Sequence, residues 1–374
     1  MRPIATSRAS ALAVILCAVL ASAARAGVIN PDISVVGQPF LFFTNDPDDP
    51  DRKRTRIDIG ETEFVFDAAL NPYAHGTFIA ALSADGFELE EGFFDLFRGL
   101  PAGLALRGGQ YRVGFGKLNP VHPHALPFAE RFGVLAAYLP GEEAFIEPGI
   151  SLSRRIPVHG DFSVNLSGDW LQGNSFRIER QSSGDPTDPL ENGGDDDAGL
   201  TRSAFAARLS GFGLVGDQSA IEFGASATGG TNNVAAGART QVYGADVKAK
   251  LWTNPRSYLR LQAEGLALDR EDVSWDPATG YVLTKVTPLG GYVFADYNWG
   301  LRYNVGASYE GFQRPTTTEE WDQSVGAFAG LSLLEESTAF LVDWRHVIPD
   351  GADAFDQITL RALYSMGPHK AHQF

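Results

Sequence analysis

The chain has little sulfur and lacks long apolar runs beyond its N-terminus. Its 374 residues include one cysteine and two methionines. The cysteine, Cys17, lies in the N-terminal apolar stretch, so neither disulfides nor thiol chemistry are expected in the mature chain. After that stretch, no segment reaches the roughly 18 unbroken apolar residues that a spanning helix requires. A bundle of transmembrane helices is therefore excluded.

Basic residues are also scarce. The sequence has 30 lysines and arginines against 46 aspartates and glutamates, a formal net charge of −16. Residues 1–26 carry three arginines and no acid, so the remainder carries −16 − 3 = −19. Nucleic-acid partners are not expected, because they favour basic patches. An acidic surface could instead attract cations.

The N-terminus has the organisation of a secretory signal peptide. Arg2 and Arg8 form a basic region, residues 11–21 are apolar, and residues 24–26 (Ala-Arg-Ala) form a small-x-small cleavage site. We predict removal of residues 1–26 and a mature chain that begins at Gly27. The alternative is a short anchor helix, which the length of the apolar run disfavours.

From residue 61 onward, apolar and polar residues alternate with a period of two. In residues 241–251, for example, Tyr243 and Val247 share one face while Asp246 and Lys248 share the other. Segments of about 9–11 residues with this period are typical of outer-membrane barrels. We predict an all-β fold, a transmembrane antiparallel up-and-down β-barrel of about 14–16 strands. Residues 61–374 form this barrel, and residues 27–60 form an N-terminal periplasmic or lumenal segment with a charged linker at 45–56.

A soluble β-sandwich would show the same alternation. The distribution of aromatic residues favours the membrane barrel, because many lie near strand ends, where outer-membrane barrels carry interfacial girdles. These residues are Trp170, Trp252, Tyr258, Trp299, Tyr309, Trp321 and Trp344. We predict strands at 104–117 and 134–139, tight periplasmic turns at 71–72 and 299–300, and extracellular loops at 173–200, 269–286 and 313–322.

Residues 108–127 combine a strand pattern with a stiff loop. Pro120, Pro123 and Pro127 remove backbone donors after the strand, and they flank His122 and His124. We expect this loop at the mouth or in the lumen of the barrel. The two imidazoles could ligate zinc. Two glutamates of the next loop, Glu142 and Glu143, could complete that site. Alternatively, the histidines hydrogen-bond neighbouring strands and fix the loop.

Charged residues on the polar faces of the strands are candidates for lining the lumen. Opposite charges facing each other across the lumen would select solutes by charge; alternatively, they form ion pairs that fill the barrel. The candidates are Arg112, Lys248, Lys250, Arg260, Arg302, Arg361, Glu88, Glu90, Asp246 and Glu264. No nucleophile motif accompanies His159 or His346, so we expect no enzymatic activity.

Residues 108–127 resemble a stretch of uncharacterised porin-like outer-membrane proteins of Gram-negative bacteria. The matching residues are Gly109, Tyr111, Arg112, Phe115, Gly116, Leu118, Asn119, His122, Pro123, His124, Ala125, Leu126 and Pro127. Some members of that family are described as zinc-regulated TonB-dependent outer-membrane receptors. Residues 109–116 are also similar to phosphate-selective porins. The resemblance implies location in the outer membrane and a role in solute passage or zinc-related uptake.

Taken together, these features predict a porin-like channel for passive diffusion of small polar or charged solutes. The alternative is a non-conducting barrel that binds a metal ion or ligand, with zinc the possible cofactor. Expected partners are outer-membrane lipid, lipopolysaccharide and small polar solutes. The terminal Phe374 predicts recognition by the outer-membrane assembly machinery.

Overall fold

The structure, a computed structural model, describes residues 31–84, 86–141, 144–178, 180, 182–189, 202–333 and 337–367. The predicted signal peptide, Glu142, Glu143 and Phe374 lie outside these residues. The described part forms one antiparallel sheet that closes on itself as a barrel of 16 strands. The fold prediction is thus confirmed. Among the described residues, no helix has the length and apolar character needed to cross a bilayer.

Three of the barrel strands are interrupted once, and the other 13 are continuous. The first eight are β1 (Asp32–Gly37 continuing as Phe40–Thr44), β2 (Arg56–Asp58 continuing as Thr62–Asn71), β3 (Ala74–Ser83), β4 (Gly86–Leu96), β5 (Leu104–Arg112), β6 (Ile146–His159), β7 (Phe162–Leu171) and β8 (Ala204–Val215). The rest are β9 (Ser219–Asn233), β10 (Ala238–Asn254), β11 (Ser257–Asp276), β12 (Gly280–Val286 continuing as Leu289–Trp299), β13 (Tyr303–Gln313), β14 (Trp321–Ser332), β15 (Thr338–Ile348) and β16 (Phe355–Met366).

The barrel begins at Asp32, and the predicted boundary at residue 61 is wrong. β1 closes the sheet on β16, with Val35 opposite Met366 and Phe40 opposite Arg361. Pro39 does not break this pairing, because its carbonyl still accepts the N–H of Ala362 at 2.9 Å. The charged stretch at 45–55 connects β1 to β2 and is held by local contacts such as the 2.7 Å ion pair between Arg56 and Asp49.

Side-chain alternation separates the inside of the barrel from the outside. Phe223, Tyr243 and Val247 point outward and are about half exposed, whereas Asp246 and Lys248 point inward and are buried. Outward aromatics surround both ends of the barrel. Tyr297, Trp299 and Tyr303 lie at one end, and Trp170, Tyr309 and Trp344 at the other. These two bands have the arrangement of interfacial girdles.

Two predicted girdle residues face the lumen instead. Trp252 and Tyr258 lie opposite each other on β10 and β11, and the ammonium of Lys250 sits 5.2 Å and 4.3 Å from their ring centroids. They share the inward face of Lys250. Position near a strand end does not by itself determine which face an aromatic occupies; here the alternation that turns Lys250 and Arg260 inward also turns both rings inward.

The connections differ in length at the two ends of the barrel. Residues 72–73, 160–161, 255–256 and 300–302 form short turns at the end that contains Asp32 and Met366. The long connections, residues 113–145 and 172–203, leave the opposite end. The predicted loop at 269–286 is mostly strand, since the ends of β11 and β12 pair from Arg270–Val286 to Asp276–Gly280. Regular pairing there satisfies backbone groups that a loop would leave to water.

Residues 113–145, here called the lumen loop, turn back into the barrel. β5 ends at Arg112 rather than continuing to 117, and the predicted strand at 134–139 is wrong: Gly133–Tyr138 forms a short helix, α1. A short apolar run does not distinguish helix from buried strand by its periodicity. Phe128 packs against Phe294 and Phe328, and Phe132 stacks on Tyr292 with ring centroids 4.1 Å apart. An apolar core therefore fills part of the lumen.

Candidate functional site: the lumen loop and the cavity beside it

The two ends of the lumen loop are tied together by one amide side chain. Asn119 donates to the carbonyls of Val113 and Phe145 at 2.8 and 3.1 Å, and its side-chain oxygen accepts the N–H of Phe145 at 2.8 Å. Asn119 is fully buried. The side-chain amide of Asn119 therefore closes the base of the loop through three hydrogen bonds to the backbone. The middle of the loop extends from this base across the lumen.

On one side, the loop docks on β9 and β11 through backbone donors. Glu264 accepts the N–H groups of Lys117 and Leu118 at 2.6 and 2.8 Å, and the Lys117 ammonium lies 2.8 Å from Glu222. Gly116, the residue before Lys117, has a φ of 60°, and an added Cβ there would lie 2.3 Å from a Glu264 oxygen. Only glycine fits here. A carboxylate that accepts consecutive N–H groups holds the loop by charge-assisted hydrogen bonds.

On the other side, arginine and acid side chains of β13, β15 and β16 bind the loop backbone. Arg361 donates to the carbonyls of Pro123 and Leu126 at 3.1 and 2.9 Å. Three further contacts are those of Asp343 with the Ala129 N–H (2.7 Å), Arg345 with the Glu130 carbonyl (2.9 Å) and Glu310 with the Val134 N–H (3.2 Å). The charged residues of these strands therefore fix the loop rather than line an open lumen at this side.

A β-bulge in β4 places two successive carboxylates inside the barrel. The register between β3 and β4 shifts at Ile79 and Ala80, and both Glu90 and Glu91 are buried. In a regular strand, neighbours point to opposite faces, and a bulge removes that constraint. Arg112 lies 3.1 Å from Glu90 and donates its backbone N–H to Glu91 at 3.0 Å.

The two predicted loop histidines enter this acidic cluster. His122 Nδ1 lies 3.1 Å from Glu63 Oε2, and its Nε2 lies 2.8 Å from Glu91 Oε1. His124 Nδ1 lies 2.8 Å from the other Glu63 oxygen. Burial alone would lower the pKa of His122, but the carboxylates of Glu63, Glu90 and Glu91 outweigh it and hold that pKa well above its usual value.

The sequence identified the histidines but not their partners. Glu142 and Glu143, the predicted co-ligands, lie outside the described residues. Glu63 and Glu91 were missed. Glu63 lies on β2, about sixty residues before the loop, and only barrel closure brings it near; the bulge that turns Glu91 inward leaves no periodic signal.

A polar cavity of about 590 Å³ remains between the lumen loop and strands β4–β9. Its lining is rich in hydroxyl and amide groups from β6, β7 and β8. These groups belong to Ser151, Ser153, Ser163, Asn165, Ser167 and Ser210. Charged side chains also line it, and most of them are paired. Arg107 lies 2.7 Å from Asp95, and Tyr111 donates to Asp169 at 3.0 Å.

Most of the predicted lumen residues do lie inside the barrel. Arg112, Lys248, Arg361, Glu90, Asp246 and Glu264 are buried, and Lys250 and Arg260 are partly buried. Several form ion pairs, among them Arg260 with Asp296 and Arg208 with Asp246, each at 2.5 Å. Glu88 is exposed and lines a small cavity with Glu90. Arg302 was wrongly placed, since it lies in the exposed turn at 300–302. The role of these residues in selectivity stays a prediction.

Arg155 was missed as a lumen residue. Its guanidinium donates to Ser163 at 3.1 Å, and it lines the polar cavity. The sequence Ser-Arg-Arg contains two adjacent arginines, and the alternation within β6 could have assigned Arg155 to the serine face and Arg154 to the leucine face.

No family model matches the chain. An uncharacterised protein of Aquifex aeolicus (strain VF5) is 29% identical over 273 residues, which are 67% of this chain and 54% of that protein. The chain thus spans about half the length of this curated relative.

Solved structures with a similar fold are outer-membrane channels and porins. OmpF of Salmonella typhi, solved with daunomycin, has a TM-score of 0.59 at 12% identity and covers 90% of this chain and 97% of its own. The anion-selective porin from Comamonas acidovorans has a TM-score of 0.57 at 12% identity, covering 90% and 99%. The outer-membrane channel DcaP of Acinetobacter baumannii has a TM-score of 0.57 at 8% identity, covering 90% and 97%. The chain has the fold of a porin-type outer-membrane barrel.

Proposed function

We propose that this protein is an outer-membrane channel through which small polar or charged solutes diffuse passively. The observation that carries the proposal is the polar cavity between the lumen loop and β4–β9. Hydroxyl and amide groups that line it can replace water around a passing solute without binding it tightly. The apolar contacts of the loop with β12 and β14 fill the opposite side of the lumen. Solutes would therefore pass along the side formed by β4–β9.

The outer surface supports placement in a bilayer. Aliphatic and aromatic side chains such as Phe223 and Val247 cover the wall between the two aromatic bands. A soluble protein rarely exposes so large a continuous apolar surface. We infer contact with outer-membrane lipid and lipopolysaccharide, with the long connections on the extracellular side and the short turns on the periplasmic side. This arrangement requires export by the signal peptide and insertion by the assembly machinery.

The charges in the cavity favour anions at one point of the path. Arg107 and Lys117 each face a carboxylate, Asp95 and Glu222 respectively. Within the described chain, Arg155 has no carboxylate at ion-pair distance, and its guanidinium meets the hydroxyl of Ser163 and the ring of Phe212. An uncompensated positive charge beside the path attracts anions.

Arg155→Glu is therefore expected to shift ion selectivity toward cations. The reversal potential of single channels in a KCl gradient measures this shift, and the wild-type channel should be the more anion-preferring of the two. Arg302→Glu is the matched control, because it makes the same charge change in an exposed turn outside the cavity. Equal reversal potentials for wild type and Arg155→Glu would contradict the proposed path.

Planar-bilayer recording separates the channel from the alternative function, a non-conducting barrel that binds a metal or ligand. Stepwise currents after insertion of purified protein are the result expected for a channel. The hydroxyl-rich cavity favours the channel. Silence from correctly folded protein would reject the proposed function. We propose no catalytic role for the histidines of the chain.

A further inference from the structure

We infer that Glu63, His122 and His124 form a binding site for a divalent transition-metal cation of the zinc class. The three side chains each offer one ligand atom, and these atoms all lie within 4.8 Å of one another. Glu63 comes from β2 and both histidines from the lumen loop. Such a cation would join the loop to the barrel wall, a role that does not depend on whether the barrel conducts.

The distances suit a metal of this size. The two Glu63 oxygens lie 3.1 and 2.8 Å from the Nδ1 atoms of His122 and His124. Ligand atoms in a tetrahedral zinc site lie about 3.3 Å apart, as follows from metal–ligand bonds of about 2.0–2.1 Å. Small side-chain adjustments are enough to admit the ion. The 3₁₀ turn at Pro123–Ala125 fixes the backbone between the two histidines.

The cluster has more buried negative charges than positive ones. Glu63, Glu90 and Glu91 are all buried; Glu90 and Glu91 pair with the guanidinium of Arg112, whereas Glu63 pairs with the two histidines. Three carboxylates and one guanidinium leave two negative charges, which protons on the histidines or a bound cation can balance. Excess buried charge is strongly unfavourable. One divalent cation can supply the balancing charge in place of those protons, because histidines that ligate metals are neutral.

The surroundings of His122 match the outer shell of a metal site. While Nδ1 faces Glu63, its Nε2 lies 2.8 Å from Glu91. A carboxylate on the far ring nitrogen fixes the tautomer and orientation of a ligating histidine. Glu90 lies 3.5 Å from His122 Nδ1 and is placed to supply a fourth oxygen.

The donor set selects the kind of cation. Two imidazole nitrogens with one or two carboxylate oxygens suit zinc and related transition metals. Calcium and magnesium prefer all-oxygen ligands. Zinc and cobalt should therefore bind, while magnesium at the same concentration should not compete.

The test uses full-length mature protein in detergent, purified without a histidine tag and treated with a chelator. Calorimetric titration with Zn²⁺ should show one ion per chain, and Co²⁺ should give a visible absorption band that Zn²⁺ removes. The double variant His122→Ala/His124→Ala should weaken zinc binding at least about tenfold. His346→Ala is the matched control: it removes a histidine that pairs with Asp356 outside the cluster, and binding should not change.

Two further variants keep the test decisive if the double variant fails to fold. Glu63→Gln preserves the shape of a ligand while it removes the charge, and Glu91→Gln replaces the carboxylate that orients His122 and also pairs with Arg112, without changing a ligand. Both should weaken zinc binding, with the larger loss in Glu63→Gln. Absence of saturable zinc binding by the folded wild type, or equal affinity in wild type and Glu63→Gln, would overturn the inference. Neither result bears on conduction, which bilayer recording measures separately.

Discussion

Replacing residues 120–141 of the lumen loop by a short glycine–serine linker is expected to raise the single-channel conductance several-fold. The loop crosses the lumen from β9 to β16 and confines the polar cavity, the proposed path, to one side. A barrel of 16 strands is wide enough for an aqueous channel once this segment is removed. The linker can be short, because Asn119 and Phe145 are hydrogen-bonded at the base of the loop.

The same change has a cost in stability. Phe294 and Phe328, which pack on Phe128, would face water. Folding of the shortened chain must therefore be verified by circular dichroism and by heat-dependent gel mobility before recording. The control carries the same linker inserted at the 216–218 turn, where conductance should stay at the wild-type value. A folded loop-deleted barrel with wild-type conductance would show that the loop does not limit the path.

Arg361→Met is expected to release the lumen loop from the barrel wall. The buried guanidinium donates to the carbonyls of Pro123 and Leu126, and the substitution removes this donor from both, so that the Pro123 carbonyl keeps only the N–H of Leu126. Loss of the hydrogen bonds from a charged donor to buried carbonyls costs roughly 3 kcal/mol. That cost corresponds to about a hundredfold increase in the population of the undocked loop. Hydrogen exchange of the loop amides measures this population directly.

The exchange experiment has a built-in comparison. Amides of the loop between Pro123 and Arg131 should lose protection, while those of the central strands such as β10 should keep it. Arg302→Met, in an exposed turn, should change protection nowhere by more than about 0.5 kcal/mol. Unaltered exchange of the loop in Arg361→Met would mean that other contacts suffice to dock it.

The wall of the barrel was predictable from the sequence because its signal is local. Tyr243 and Val247 face outward and Asp246 and Lys248 face inward, as alternation within one strand requires. The start of the barrel was not predictable in the same way. The charged linker at 45–56 suggested a separate N-terminal segment, whereas pairing with β16, more than three hundred residues away, makes residues 32–44 the closing strand.

The candidate site shows the same limit. Prolines that flank His122 and His124 indicated a stiff loop, and the loop does enter the lumen. Its partners depend on long-range geometry: Glu63 comes from β2, and Glu91 points inward only because of a bulge. The run at 134–139, predicted as a strand, is apolar enough to fit either a strand or a helix, and its sequence does not distinguish the two. Packing of α1 inside the lumen, rather than local propensity, decides in favour of the helix.

Substituted-cysteine labelling tests the position of the proposed conducting path most directly. The single cysteine of the sequence, Cys17, falls in the predicted signal peptide, so an introduced thiol has no native competitor. Ser153 lines the polar cavity, and its neighbour Leu152 points outward. We predict that a charged, water-soluble methanethiosulfonate reagent lowers the single-channel current of Ser153→Cys and leaves that of Leu152→Cys unchanged. An unchanged current in a fully labelled Ser153→Cys channel, or equal block at both positions, would contradict the account.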